Sequence, residues 1–292
     1  MRILVTGGRG QLGMDCQEVF AGHEVLALDL PNLDITDGRS VDGVLDLWKP
    51  DALVNCAAYT AVDRAESDET TALKVNADGP GLLAERAAAR GIRLVQISTD
   101  YVFDGGRAVP QPYVESDATG PTGAYGRTKL EGEKRVAAAG GRWAILRTSW
   151  LYGRNGNNFP KTILKHALRN PEKGLKVVDD QTGTPTWSRR LAEQIKVVLE
   201  AGAEGLFHAT GEGHCTWWAF AKEFLSLMGV ACEVRPCRSE EYPTPTERPA
   251  NSILENAALK AAGLNVMRDW REDLAEYVGR YKAELLREVS GA

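Results

Sequence analysis

Residues 3–13 read Ile3-Leu4-Val5-Thr6-Gly7-Gly8-Arg9-Gly10-Gln11-Leu12-Gly13, an aliphatic run that passes at once into a glycine-rich turn. The run predicts a buried strand, and the residues from the turn to Phe20 have the pattern of a helix. Such a turn lets backbone N–H groups approach a diphosphate at the helix N-terminus. The next predicted strand, residues 24–28, ends at Asp29, where an acid can bond a ribose 2′-hydroxyl. Together these features predict a nucleotide-binding strand–helix–strand unit.

Strands and helices continue to alternate as far as residue 150, which predicts an α/β fold with a doubly wound parallel sheet of the Rossmann type. One long helix is expected from near Ala65 to Arg90, interrupted at Pro80. After residue 150 the pattern changes, and a smaller C-terminal substrate-binding domain is expected. We assign residues 1–150, with a return segment at 175–202, to the dinucleotide-binding domain, and residues 151–174 and 203–292 to the substrate-binding domain.

Composition excludes several classes of function. A net charge of −5 over 292 residues gives no global reason to bind nucleic acid or an anionic membrane. No apolar run approaches the roughly 20 residues that span a bilayer, and no signal peptide precedes the first strand, so a cytoplasmic location is expected. The five cysteines include no C-x-x-C pair, which predicts reduced thiols without a zinc site. The six-residue separation of His208 and His214 does not favour a histidine metal site.

Tyr125 and Lys129 are candidates for proton transfer. Residues four apart lie on one face of a helix, and an ammonium beside a phenol lowers the pKa of the phenol. Thr99, expected at the end of a buried strand, can hydrogen-bond the same substrate oxygen, which suits carbonyl reduction or alcohol oxidation. Tyr-x-x-x-Lys alone is a weak signal, because a packed tyrosine and a solvated lysine often have this spacing by chance. The nucleotide-binding unit before it favours the catalytic interpretation.

The C-terminal third leaves one alternative open. Arg248 is equally compatible with bidentate binding of a diphosphate and with simple solvation at the surface. Trp217, Trp218 and Phe220 are expected in the core rather than on a ligand platform.

Several blocks of the chain resemble the dTDP-4-dehydrorhamnose reductase family, within the extended short-chain dehydrogenases/reductases. The glycine loop and Tyr-x-x-x-Lys identify only the superfamily, whereas the blocks at 55–66, 98–103 and 147–150 point to this reductase. The likeness covers nearly the whole chain. The blocks are Thr6-Gly7-Gly8-Arg9-Gly10-Gln11-Leu12-Gly13, residues 55–66 (NCAAYTAVDRAE), residues 98–103 (STDYVF), residues 125–129 (YGRTK), residues 147–150 (RTSW), residues 156–159 (GNNF) and residues 248–252 (RPANS).

The resemblance implies that NADPH or NADH reduces the C4 ketone of dTDP-4-dehydro-β-L-rhamnose, yielding dTDP-L-rhamnose for cell-surface polysaccharide. Tyr125 would protonate the oxygen, Lys129 would lower the pKa of Tyr125 and hold the nicotinamide ribose, and Thr99 would bond the carbonyl. The implied cofactor-binding residues are Gly7, Gly10, Gln11, Leu12, Gly13, Asp29, Asp34, Ile35, Ala58, Tyr59, Thr60, Tyr125 and Lys129. The implied substrate-binding residues are Thr99, Asp100, Trp150, Asn158, Arg248 and Asn251.

The chain departs from the family at a metal site. Some members bridge dimers through Mg²⁺, held by carboxylates near the first helix and after an Asp-Gln-x-Gly-x-Pro-Thr loop. Here Asp15 keeps the first position but Arg189 occupies the second. Since a cation there would repel the metal, we expect no metal, and either a monomer or a metal-independent homodimer.

Two other classes of function remain. A nucleotide-sugar dehydratase or epimerase shares the fold and the Tyr–Lys pair, but related dehydratases place Asp-Glu directly after this threonine, and Tyr101 follows Asp100 here. An epimerase returns its cofactor unchanged, so stoichiometric consumption of reduced nicotinamide separates it from a reductase. A non-catalytic regulatory subunit would not need Thr99, Tyr125 and Lys129 together.

The glycine loop and the second strand predict use of both cofactors. Asp29 favours NADH, and Arg9 can hold the 2′-phosphate of NADPH. We expect the two values of kcat/KM, measured at saturating sugar substrate, to agree within about 100-fold, equivalent to about 2.7 kcal/mol. A larger preference in either direction would contradict dual use.

Overall fold

The computed structural model describes residues 1–169 and 171–290 and contains a six-stranded parallel sheet. The strand order is β10-β5-β4-β3-β1-β2, so the chain moves from β1 to one side for β2 and to the other side for β3. This arrangement confirms the expected doubly wound sheet. The strands are β1 (Arg2–Thr6), β2 (Glu24–Leu28), β3 (Ala52–Asn55), β4 (Arg93–Thr99), β5 (Trp143–Thr148), β6 (Leu151–Tyr152), β7 (Leu175–Val178), β8 (Thr182–Gly183), β9 (Thr186–Trp187), β10 (Gly205–His208), β11 (Cys215–Thr216), β12 (Val234–Cys237) and β13 (Asn251–Ser252).

Helices connect the strands. The helix expected between Ala65 and Arg90 is formed by two α-helices, Glu69–Leu73 and Gly79–Ala89, which a π-helix, Lys74–Asp78, joins into one run. Pro80 lies directly after the π-helix, in the first turn of Gly79–Ala89, and the helical backbone continues through it. The helices are α1 (Gln11–Val19), α2 (Gly38–Trp48), α3 (Val62–Ala65), α4 (Glu69–Leu73), α5 (Gly79–Ala89), α6 (Ala124–Ala138), α7 (Phe159–Arg169), α8 (Ser188–Ala201), α9 (Trp217–Met228), α10 (Ala257–Ala261) and α11 (Trp270–Ser290). None of the helices in the described residues is long and apolar enough to span a bilayer.

The two faces of the sheet are covered by different helices. Ile3 and Val5 of β1 point to the face packed by α1 and α8, whereas Leu4 between them points to the face packed by α2, α5 and α6. Both faces are apolar because successive side chains of a strand alternate between them. The carboxyl ends of the strands are left free for a ligand.

Buried polar side chains join three neighbouring strands, at the carboxyl ends of β1 and β3 and in the middle of β4. Thr6, Asn55 and Gln96 are direct partners across β1, β3 and β4. The Thr6 hydroxyl donates to Asn55 Oδ1 (2.5 Å), and Asn55 Nδ2 donates to Gln96 Oε1 (2.6 Å). Asn55 Oδ1 also accepts from the backbone N–H of Ala57 (3.2 Å), which fixes the loop after β3. These hydrogen bonds between Thr6, Asn55 and Gln96 fix where the backbone leaves the sheet after β3.

The C-terminal part packs beside the sheet around its own aromatic core, which includes Trp187, Phe220 and Trp270. Two strands lie elsewhere than the sequence indicated. Leu175–Val178, within the expected return segment, pairs with β12 outside the central sheet, and Gly205–His208, assigned to the substrate domain, pairs with β5 inside it. The edge strand of a parallel sheet can come from a distant part of the chain, and local sequence patterns do not show which strand that is. The domain boundaries themselves stay a prediction.

Two glycines in helices should respond to alanine with opposite signs. A Cβ on Gly132 of α6 would lie 2.1 Å from the carbonyl oxygen of Asn76 in the π-helix, whereas one on Gly43 of α2 would meet nothing within 4 Å. We expect Gly132→Ala to lower the free energy of unfolding by about 1–3 kcal/mol or more, because the packed backbones must separate. Gly43→Ala should raise it by about 0.5–1 kcal/mol. Equilibrium urea denaturation measures both, and stabilisation at Gly132 would contradict the packing described.

Candidate active site

The candidate site lies at the carboxyl ends of β1, β3, β4 and β5, where the strand order reverses. Gly10 caps α1 without a side-chain hydrogen bond, so α1 presents its first N–H groups to the cleft. Gly7 has φ +64°, and a Cβ there would lie 2.7 Å from the Ala57 nitrogen. A Cβ on Gly13 would lie 2.2 Å from the Gly7 carbonyl oxygen. The backbone therefore forms a cradle that fits the diphosphate of a dinucleotide.

The expected ribose-binding residues meet at the edge of this cradle. Asp29 accepts hydrogen bonds from the backbone N–H groups of Arg9 (3.2 Å) and Leu30 (2.9 Å). The Arg9 guanidinium lies in the same place and donates to the Leu30 carbonyl. The Arg9 guanidinium, a donor for a 2′-phosphate, and the Asp29 carboxylate, an acceptor for a 2′-hydroxyl, thus lie side by side. Use of both cofactors requires both groups.

The remaining expected cofactor residues lie in the loops that follow β2 and β3. Asp34 accepts from the backbone and the hydroxyl of Thr36 (2.9 and 2.7 Å), which lowers its pKa. Ile35 is buried near Gly79, at the start of α5. Beyond β3, the backbone N–H of Tyr59 donates to Asn76 Oδ1 (2.8 Å), so the π-helix holds the stretch Ala58–Tyr59–Thr60. Sequence reasoning did not assign Asn76 this role.

Thr99 and Tyr125 are brought together as expected. Tyr125 lies in the first turn of α6, and its phenol interacts with the Thr99 side chain, which lowers the pKa of the phenol. The single proton of the Thr99 hydroxyl is donated to Asp100 Oδ1 (2.9 Å), and the same hydroxyl accepts from the Tyr101 N–H (3.2 Å). Burial raises the pKa of Asp100 to about 6, although hydrogen bonds from Thr99 and Ser252 oppose the shift.

Burial and a nearby charge set the electrostatics of Tyr125. Burial, followed by the charge of Asp100, raises the pKa of its phenol above the ordinary value. The Lys129 ammonium is buried one turn away but donates to the Ile97 carbonyl (2.6 Å). Lys129 is not among the groups that set the pKa of Tyr125 here, and its expected effect on that phenol stays a prediction. The phenol stays protonated near neutral pH, which is the form that donates a proton.

Lys129 is itself perturbed. Burial lowers the pKa of its ammonium to about 8, and the charges of Glu133 and Cys56 partly oppose this shift. The lysine is mostly charged at pH 7 and loses its charge under mildly alkaline conditions.

A cleft of about 410 Å³ opens beside these residues. Trp150, expected on the substrate, lines it with φ +45°, a strained conformation for a tryptophan. Its ring stacks on Trp217 with centroids 3.5 Å apart and planes 8° apart. Trp217 was expected in the core, but it lines the cleft with Phe159. The run Trp217-Trp218-Ala219-Phe220 has the pattern of a core helix. Only the stacking of Trp217 on the distant Trp150 reveals that Trp217 lines the cleft.

Arg248 lines the cleft rather than standing free in solvent. Its guanidinium donates to Asp63 Oδ2 (2.7 Å) and to the Tyr101 hydroxyl (3.2 Å). Tyr101 in turn packs edge-on against the ring of Tyr125, with centroids 5.5 Å apart. The structure thus links Arg248 to the proton-transfer residues through Tyr101, which sequence reasoning missed.

The two asparagines expected on the substrate are engaged elsewhere. Asn158 Nδ2 donates to the Gly153 carbonyl (2.7 Å) and to Gln11 Oε1 (2.9 Å), so it joins α7 to the glycine loop. Asn251 is buried, and its Nδ2 donates to the carbonyls of Arg107 (3.1 Å) and Gln111 (2.8 Å). In this structure both amides hold loops, and the expected contacts of Asn158 and Asn251 with the substrate stay a prediction.

Asp15 and Arg189 mark the position of the family's metal site. Asp15 is buried and accepts from the Ser188 hydroxyl, and burial raises its pKa to about 6. Arg189 donates to Glu18 (3.2 Å) on α1. Over residues 1–169 and 171–290, no group of three or more histidine, cysteine, aspartate or glutamate side chains is placed to hold a metal ion. Arg189 pairs with Glu18, a carboxylate that could otherwise attract a metal cation.

Comparisons with known proteins agree with this geometry. The family described as RmlD substrate binding domain matches residues 1–283. A dTDP-4-dehydrorhamnose reductase of Sinorhizobium fredii is 41% identical over 290 residues, covering 95% of this chain and 97% of its own. A dTDP-4-keto-6-deoxy-D-glucose reductase of Streptomyces niveus is 42% identical over 279 residues, covering 94% and 96%. The crystal structure of dTDP-4-dehydrorhamnose reductase from Bacillus anthracis in complex with NADP has a TM-score of 0.90 and 35% identity, covering 96% of this chain and 99% of its own.

Proposed function

This chain belongs to the RmlD substrate-binding-domain family, and from that premise we propose that it reduces the C4 ketone of dTDP-4-dehydro-β-L-rhamnose to dTDP-L-rhamnose with NADPH or NADH. The observation that carries the proposal is the position of Tyr125, which lies beside Thr99 at the end of β4 and packs edge-on against Tyr101, a residue that lines the cleft. A buried proton donor at the meeting point of a dinucleotide site and a second pocket suits carbonyl reduction.

Each residue has a defined task in this reaction. When bound, reduced nicotinamide supplies the hydride that the ketone carbon accepts. Tyr125 donates its proton to the ketone oxygen, so the products are the alcohol and the oxidised cofactor. Thr99 donates a hydrogen bond to the same oxygen, and Lys129 holds the nicotinamide ribose with a charged ammonium.

The cleft supports a nucleotide sugar as the substrate. Trp150, Trp217 and Phe159 provide aromatic faces for a base, and Gln181 lies among them as a polar group. Arg248 offers a planar fork of donors, which matches the oxygens of a diphosphate. Since the same cleft suits several 4-keto sugars, identification of the product by NMR is part of the test.

Tyr101 disfavours the dehydratase alternative. It occupies the position after Asp100 where a dehydratase needs a carboxylate, and its hydroxyl accepts from Arg248 instead. We further propose a monomer or a homodimer that needs no metal, because Arg189 pairs with Glu18 near Asp15. The cytoplasmic location stays a prediction from the sequence.

Tyr125→Phe tests the proton donor. We expect kcat to fall by roughly 10²–10⁴ with the Kd for the cofactor unchanged, because the variant loses an acid and keeps the ring. The assay follows reduced-nicotinamide absorbance with the 4-keto sugar supplied by upstream enzymes. Tyr281→Phe, on α11 and remote from the cleft, is the matched control with wild-type kcat. An unchanged kcat in Tyr125→Phe would rule out this acid.

Arg248→Met tests the diphosphate contact. Charge-assisted hydrogen bonds contribute about 1.5–3 kcal/mol, so the inhibition constant for dTDP should rise by roughly 10–100-fold. The Kd for the cofactor should stay constant. Arg142→Met is the control, since Arg142 pairs with Glu204 (2.9 Å) just before β5, at the opposite end of the sheet. Equal inhibition of Arg248→Met and the wild type by dTDP would show that Arg248 does not bind the diphosphate.

A further inference from the structure

Three side chains of α6 contact the last residues of one strand. Tyr125, Lys129 and Glu133 are four residues apart and so form a stripe along one face of the helix. Tyr125 meets Thr99, Lys129 donates to the Ile97 carbonyl (2.6 Å), and Glu133 accepts from the Ser98 hydroxyl (2.5 Å). The stripe therefore fastens α6 to Ile97–Ser98–Thr99 at consecutive positions. Glu133 is the member that the proposed reaction does not use.

Glu133 is held by a buried, bidentate ion pair. Its Oε1 accepts from Arg147 Nε (2.9 Å), and its Oε2 accepts from Arg147 Nη2 (2.7 Å). The exposed fractions are 4% for Ser98, 6% for Glu133 and 3% for Arg147. Ser98 and Arg147 are direct partners across β4 and β5. The Glu133 carboxylate thus joins α6 to β4 and β5. These contacts fix the distance of α6 from the two strands and the rotation of α6 about its own axis.

The same arginine supports the segment that follows Thr99. The Arg147 guanidinium lies over the Phe103 ring, 5.1 Å from its centroid. His208 stands nearby and adds no second charge, because burial, followed by the Arg147 charge, lowers its pKa to about 3. The contacts of Arg147 therefore extend from α6 to both ends of the segment 98–103.

Stability alone is a poor reason to bury this pair. Taking two charges out of water costs several kcal/mol per ion, and apolar replacements of similar volume are often neutral or stabilising. An ion pair does, however, specify one geometry, since a bidentate contact fails on small rotations. Proton transfer needs that precision, because a displacement of about 1 Å can cost roughly 10²-fold in rate.

We propose that Glu133, fixed by Arg147 and Ser98, is a positioning residue that sets the register of α6 against β4 and so places the Tyr125 hydroxyl beside Thr99. This inference rests on the proposed reductase function. It concerns the orientation of the proton donor and not the binding of the nucleotide sugar. Loss of the pair therefore lowers kcat and leaves the KM of the nucleotide sugar near its wild-type value.

The principal variant is Glu133→Leu/Arg147→Met, which replaces the pair by apolar side chains of similar volume. We expect a thermal midpoint near that of the wild type, a kcat lowered by about 10²-fold, and a nearly unchanged KM of the nucleotide sugar. Glu131→Gln is the control on the same helix, since Glu131 pairs with Arg135 at the exposed surface (2.9 Å) and should keep the wild-type kcat. A folded double variant with wild-type kcat would overturn the proposal.

Two further measurements keep the test decisive. Ser98→Ala retains the ion pair and removes one hydrogen bond, so it decides the matter where the double variant does not fold: a several-fold lower kcat supports the proposal, and an unchanged kcat overturns it. Glu133→Gln removes the negative charge on α6 that faces Lys129, whose other neighbours are Cys56 after β3 and the Ile97 carbonyl. The alkaline limb of kcat should then move to lower pH by about half a unit or more. An unmoved limb would contradict the electrostatic contact between Glu133 and Lys129.

The wild type separates this proposal from the one it rests on. A wild-type protein that consumes no reduced nicotinamide with the 4-keto sugar would contradict the proposed function and remove the premise of the inference. An active wild type with active Glu133 and Ser98 variants would overturn the inference alone.

Discussion

The buried chain from Thr6 through Asn55 to Gln96 is the constraint on which the rest of the structure depends. Its hydrogen bonds of 2.5 and 2.6 Å join the ends of β1 and β3 to the middle of β4. A buried polar group without a partner is costly, so these three side chains permit one register only. That register brings Gly7 against the loop after β3 and aligns Thr99 with the start of α6. Cofactor cradle and proton donor thus share one origin in the sheet.

Much of this arrangement follows from local sequence. The strand, the glycines and the helix of residues 3–20 are read from patterns within one supersecondary unit, as is the Tyr125–Lys129 stripe, because helical periodicity fixes which residues share a face. The place of strand Gly205–His208 at the edge of the central sheet and the π-helix before Pro80 were not predictable in this way. Both depend on contacts with distant parts of the chain, namely β5 and α6.

Several site residues show the same limit. Trp217 has the sequence context of a core residue, and only its stacking on Trp150 places it at a cleft. Asn158 and Asn251 belong to blocks shared with the family, yet their amides bond the protein's own backbone. The pKa of Tyr125 depends on burial and on Asp100 more than on the lysine one turn away. Spacing identifies the residues, but the surroundings decide what each one does.

The pairing of Arg248 with Asp63 gives the free protein an internal competitor for the diphosphate that we propose Arg248 binds. A diphosphate bound there would compete with this carboxylate for the guanidinium, so the affinity would be a difference between two occupied states. Asp63 would thereby weaken nucleotide binding without touching the nucleotide. Such self-blocking would favour rapid release of product, at the expense of retention.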